Sequence, residues 1–152
     1  MLAGGVLGAR KGLLAVLVFL VLTTAGLPLL AGGRGGLGVW TGPTAGYLIG
    51  WLPGVFLIGL LTARLLPRYP FWSGLVVNLL GGVVIIHVLG ITVLSLRVGL
   101  GPALVNGTLP YLPGDIAKAV ITTVVVKQVH QAYPGLIPVR THADRSTTGP
   151  TS

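Results

Sequence analysis

The sequence predicts an all-α fold: a polytopic helical bundle embedded in a membrane. Three observations carry the prediction. Hydrophobic residues make up 53 % of the 152 and charged residues only 8 %, where a soluble domain carries about 25 %. Mean hydropathy is accordingly +0.92. Four apolar stretches reach the roughly 20 helical residues that a hydrocarbon core requires. The 25 glycines follow no Gly-X-Y period, so they fit the small residues that bring membrane helices together. Cysteine is absent, which excludes a disulfide framework, a thiolate metal site and a thiol nucleophile.

The first span covers about residues 13–30, "LLAVLVFLVLTTAGLPLL", and the second about 46–66, "GYLIGWLPGVFLIGLLTARLL". The third covers about 71–96 and contains "GLVVNLLGGVVIIHVLGITVL". The fourth and most polar begins at Asp115, "DIAKAVITTVVVKQVHQAY". A signal peptide with Arg10 and Lys11 as its basic region would explain the first stretch but not the other three. Residues 1–9 are uncharged and too short to span; they read as an interfacial stretch or as the tail of an apolar segment. Residues 1–135 are expected to form one membrane domain, followed over 136–152 by a polar, disordered tail.

Charge asymmetry orients the bundle. If the four spans alternate, Arg10, Lys11, Arg64, Arg68, Lys127, Arg140 and Arg145 fall on one side, against Arg34 and Arg97 on the other. By the positive-inside rule both termini are expected in the cytoplasm of a multi-pass plasma-membrane protein. The net charge of +8 then reflects cytoplasmic loops, and no basic run interleaved with aromatics points to nucleic acid. Two segments face outward: the glycine-rich loop 31–46 and the linker 98–114.

The chain has two acidic residues, Asp115 and Asp144, and Asp144 belongs to the polar tail. Asp115 follows Pro113 and Gly114, where a carboxylate can cap a helix N-terminus. Lys118 shares its helix face three residues on. A charge inside a span costs at least ~2.5 kcal/mol and usually faces a cavity or a partner, while a cap needs no lysine. Snorkelling would account for Lys118 alone. Together the pair reads as a polar site opening outward, suited to a ligand with hydrogen-bond donors and acceptors close together, such as a cyclic urea.

Glycines and a proline at membrane depth imply irregular backbone, which is tolerated where it lines a cavity. Residues 32–44 therefore read as a lid, while Gly50 and Gly54 read as helix packing. Trp40, Tyr47 and Trp51 suit interfacial anchoring or stacking on an apolar ligand. Asn78 and His87 lie in the third span, His87 as an expected interhelical hydrogen bonder. His87, His130 and His142 share no ligand spacing, so no metal is expected. Two aspartates, one of them in the tail, furnish no catalytic triad. No enzymatic activity, catalytic residue or cofactor is expected.

"AGGRGGLGVWTGPTAGYLIGW", "FLIGLL", "GGVVIIHVLG" and "LPYLPGDIAKAV" occur in an order and spacing that resemble the BioY family, over about residues 2–130. BioY proteins are the biotin-binding S components of energy-coupling-factor (ECF) vitamin transporters. The resemblance implies a helical membrane protein that captures biotin near its outer face, with uptake driven by a transmembrane T component and two ATPases. It further implies that Asp115 and Lys118 contact the polar head of biotin. Gly42, Pro43, Thr44, Gly46 and Tyr47 match the loop and helix start that close the pocket. Family members usually have six spans; residues 1–9 resemble the end of the second, so the N-terminal one to two helices would be lacking. Ala45 stands where the family commonly has glycine, and His87 where it often has tyrosine. Two readings compete with biotin capture: an S component for another small vitamin, and a degenerate membrane fragment that transports nothing.

Overall fold

Apolar runs punctuated by glycine and proline fold into helices whose ends fall at those residues. The computed structural model describes residues 1–137. In chain order these form α1 (Leu2–Thr24), α2 (Gly38–Thr41), α3 (Ala45–Leu65), α4 (Phe71–Leu79), a π-helical turn (Leu80–Val84), α5 (Ile85–Val98), α6 (Leu100–Gly107) and α7 (Leu112–Ala132). Leu2–Thr24, Ala45–Leu65 and the continuous Phe71–Val98 are each long and apolar enough to cross a membrane. A fourth crossing is supplied by α6 and α7 together, bent by 52°. The all-helical architecture is as expected. The C-terminal tail from residue 138 onward lies outside the described residues.

The element boundaries depart from the expected ones at three places. The first helix ends at Thr24 although the apolar run continues to Leu30, because Gly26 turns with φ 111° and Pro28 has no N–H to donate. The segment 98–114 is not a linker alone, since the eight residues of α6 lie within it. Residues 1–9 are not interfacial either. α1 breaks at Gly8, φ 79°, and its first arm folds back against Gly12, where a Cβ would lie 2.7 Å from the Ala3 carbonyl oxygen. That arm is inside the bundle: Gly4 abuts Val55 and Gly5 abuts Val126, and His130 Nε2 lies 2.8 Å from the Gly5 carbonyl oxygen. Ile137, the last described residue, packs on Gly8.

Glycines at a spacing of four determine how α3 meets the third crossing. A Cβ at Gly46 would lie 2.5 Å from Val93 Cβ, one at Gly50 3.1 Å from Ile86 Cα, and one at Gly54 2.5 Å from the Gly81 carbonyl oxygen. The row is a groove into which α5 and the π-helical turn settle, the small-residue contact typical of membrane helices. Polar side chains link α4 to α7 and to the turn before α4. Asn78 Nδ2 donates to Thr123 Oγ1 at 3.0 Å and, at 3.5 Å, to the Tyr69 hydroxyl. Burial of Tyr69 in the turn before α4 pushes its phenol pKa above the usual range, so it stays a neutral hydrogen-bonding group.

The outer surface is apolar. Leu14, Val18 and Val21 of α1, Val84 and Val88 of the third crossing, and Ile121 of α7 are exposed. In water such a surface would aggregate; against acyl chains it is solvated.

Candidate functional site

The sequence Leu112-Pro113-Gly114 starts α7 three residues before Asp115. Proline is at home in a first helical turn, where its missing N–H leaves nothing unpaired. Asp115 thus lies in that first turn, at the positive end of the helix dipole. The N-cap position belongs to Tyr111, and no side-chain cap bond forms there. Capping therefore does not account for the carboxylate.

The carboxylate turns sideways instead. Lys118 Nζ donates to Asp115 Oδ1 at 3.1 Å, and Asp115 Oδ2 lies 3.6 Å from His87 Nε2 on α5. The Asp115 side chain is only 16 % exposed, whereas Lys118 is 71 % exposed. An ion pair this open to its surroundings contributes about 0.2–1 kcal/mol, less than the ~2.5 kcal/mol a charge costs inside a span. Stability alone does not explain why the pair is there.

His87 is aimed at the pair by the π-helical turn just before α5. One extra residue per turn rotates the face that follows by about 100°. His87 Nδ1 lies 3.0 Å from the Val83 carbonyl oxygen; a carbonyl only accepts, so Nδ1 carries the hydrogen. The expected interhelical bond is replaced by this one within the helix. His87 Nε2 is buried and has no hydrogen-bond partner among the described residues. Its 3.6 Å approach to Asp115 falls within ion-pair range but beyond the 2.7–3.2 Å of a hydrogen bond.

Tyr47, in the first turns of α3, completes the cluster. Its ring meets the His87 ring edge-on, centroids 5.8 Å apart, and Gly90 leaves room for it. Its hydroxyl donates to the Gly107 carbonyl oxygen at 2.7 Å, which ties α3 to the end of α6.

The structure brings three of the expected site residues, Tyr47, Asp115 and Lys118, into one chain of contacts with His87 at its centre. Gly46 faces away into the helix–helix groove against Val93. Gly42, Pro43 and Thr44 form the turn that enters α3: the Gly42 carbonyl accepts from Ala45 N at 3.3 Å and the Thr44 carbonyl from Tyr47 N at 3.1 Å. The loop before them is clamped on two sides. Trp40 Nε1 donates to Thr24 Oγ1 on α1 at 2.9 Å, and the Arg97 guanidinium on α5 donates to the Thr41 carbonyl. Beside this loop an apolar cleft of about 470 Å³ is lined by Leu17, Leu20, Val21, Thr24, Ala25, Trp40 and Leu52. Among the described residues, no group of three or more His, Asp or Glu side chains is placed to hold a metal ion.

His87 was legible as an ionisable residue inside a span, which membrane energetics marks as functional by default. What the sequence could not convey was its partner, because α5 and α7 meet only in three dimensions.

The family model described as the BioY family matches residues 1–135. The biotin transporter BioY of Rhizobium etli is 44 % identical over 149 residues, covering 92 % of this chain and 78 % of the relative. That of Rhodobacter capsulatus is also 44 % identical, over 151 residues, 92 % of this chain and 79 % of the relative. A crystal structure of the S component for biotin from an ECF-type ABC transporter superposes with a TM-score of 0.76 at 36 % identity, covering 86 % of this chain and 70 % of that one.

Proposed function

The chain belongs to the BioY family, a family of multi-pass membrane proteins, and on that premise we propose that it is a substrate-binding subunit that captures biotin at the outer face. It is a transporter component, not an enzyme. One observation carries the reading: the single acidic side chain of the described residues is held at the start of α7, outside the cap position, between an exposed ammonium and a buried imidazole. Relatives named biotin transporters are 44 % identical to it over the aligned residues.

Biotin carries a cyclic urea, and the acid–base pair suits it. The Asp115 carboxylate accepts from a ureido N–H, and Lys118 donates to the ureido carbonyl by swinging its exposed head off Oδ1. A hydrogen bond to a charged group contributes about 1.5–3 kcal/mol, so two such contacts fix the polar head. Apolar and aromatic walls, Tyr47 among them, hold the thiolane ring and aliphatic chain. Gly42, Pro43 and Thr44, with the clamped loop before them, serve as the outer gate; Gly46 lets that helix start sit close to α5.

Residues 1–135 make up the binding domain in this reading, with a polar tail after it. Arg10, Lys11, Arg64, Arg68 and Lys127 mark the cytoplasmic end and Arg34 and Arg97 the outer end. A transmembrane T component and ATPase subunits would supply the energy for uptake. The test is titration of the purified chain with biotin, thiamine and riboflavin, read by calorimetry and by thermal shift. A ligand at 100 times its Kd stabilises by about 2.7 kcal/mol. A saturable biotin signal is expected; a shift with thiamine or riboflavin alone would reassign the substrate, and silence with all three would overturn the proposal.

A further inference from the structure

The gap between His87 Nε2 and Asp115 Oδ2 is unusual in what it leaves undone. Nδ1–H is committed to the Val83 carbonyl at 3.0 Å, so with one ring hydrogen Nε2 is a bare acceptor. It faces a carboxylate oxygen, itself an acceptor, at 3.6 Å. Lys118 already answers the Asp115 charge on the other oxygen at 3.1 Å. The His87 side chain is 8 % exposed, and an unpaired acceptor buried to that degree is expensive to keep. Tyr47 stands against the ring edge-on and limits how far the imidazole can turn away. Two acceptors thus face each other, and no donor among the described residues bonds to Nε2.

We propose that His87 is a further ligand-contacting residue, its Nε2 forming with Asp115 Oδ2 a two-acceptor clamp for one N–H of a urea-type ligand. A donor nitrogen about 2.9 Å from each acceptor sits over a 3.6 Å base, making an angle near 75° between them, as in a three-centre hydrogen bond. The clamp rests on the proposed capture of biotin and deepens it, because it demands a donor. An oxo or ether oxygen at the same place would meet two lone pairs. Discrimination of this kind, where a buried polar group stays unpaired with the wrong ligand, exceeds what apolar contact achieves.

The test uses the purified chain and three variants, His87→Phe, His87→Gln and Asp115→Asn, each titrated with biotin and melted without it. Phenylalanine keeps the ring against Tyr47 and removes the acceptor. The expected result is a biotin Kd about 3- to 10-fold higher for His87→Phe, with a ligand-free melting temperature at or above the parent's. His87→Gln, whose amide oxygen can accept, is expected to bind more tightly than His87→Phe. Parent-like affinity in His87→Phe overturns the clamp. So does weaker binding together with a lowered ligand-free melting temperature and no recovery in His87→Gln, which is the signature of a structural ion pair. If Asp115→Asn is impaired while His87→Phe is not, only the clamp fails; if neither is impaired, the biotin site itself is misplaced.

Discussion

Removing a single oxygen atom, in Tyr47→Phe, tests whether the start of α3 and the end of α6 are held together by one hydrogen bond. The hydroxyl donates to the Gly107 carbonyl at 2.7 Å, a good geometry for O–H···O, and Gly107 is buried. Phenylalanine retains the edge-on contact with His87 and the fit against Gly90, so only the bond is lost. A buried carbonyl left without its donor costs about 1–3 kcal/mol. At about 2–4 °C per kcal/mol for a chain of this length, the melting temperature in detergent should fall by about 2–12 °C. Since Gly107 lies five residues before Leu112 and the start of α7, the carboxylate it positions should loosen too. Biotin affinity is therefore expected to weaken along with stability. A variant that melts and binds like the parent would refute the claim that this bond couples α3 to the α6–α7 bend.

Three further outcomes follow from the packing and the charges. Gly54→Leu forces a branched side chain into a place where even a Cβ would lie 2.5 Å from the Gly81 carbonyl oxygen. It should destabilise by about 1–3 kcal/mol or more, seen as a lower melting temperature both with and without biotin. Arg97→Ala frees the Thr41 carbonyl; amide exchange over residues 38–44 should quicken while global stability stays within about 0.5 kcal/mol. The absence of cysteine provides a clean background for topology mapping: an impermeant maleimide should label Arg34→Cys on intact cells but Arg68→Cys only after permeabilisation. The opposite pattern would invert the orientation.

How much of this was written in the sequence differs from residue to residue. The crossings were legible because hydropathy alone decides them, and the mismatch at residues 25–30 arose because Gly26 and Pro28 stop a helix that hydropathy would continue. α6 went unseen within 98–114, since eight residues rich in glycine and proline carry too little periodicity to separate helix from loop. The pairing of Asp115 with Lys118 was legible because i,i+3 neighbours share a face. The carboxylate's second neighbour was not, for His87 reaches it only after the π-helical turn has rotated α5 and the Gly46, Gly50 and Gly54 groove has drawn α3 and α5 together. Gly46 illustrates the reverse limit: the same glycine suits a pocket wall and a helix contact, and only coordinates reveal Val93 against it.

The central claim is that Asp115 and Lys118 exist to bind a ligand rather than to stabilise the fold. Calorimetric titration of Asp115→Asn and Lys118→Ala with biotin, beside the parent, tests it most directly. Losing a hydrogen bond to a charged group should raise Kd by about 10- to 150-fold in each variant. Ligand-free stability should meanwhile change by no more than about 1 kcal/mol, since the pair is exposed at its lysine end. Parent-like affinity in both variants would contradict the account.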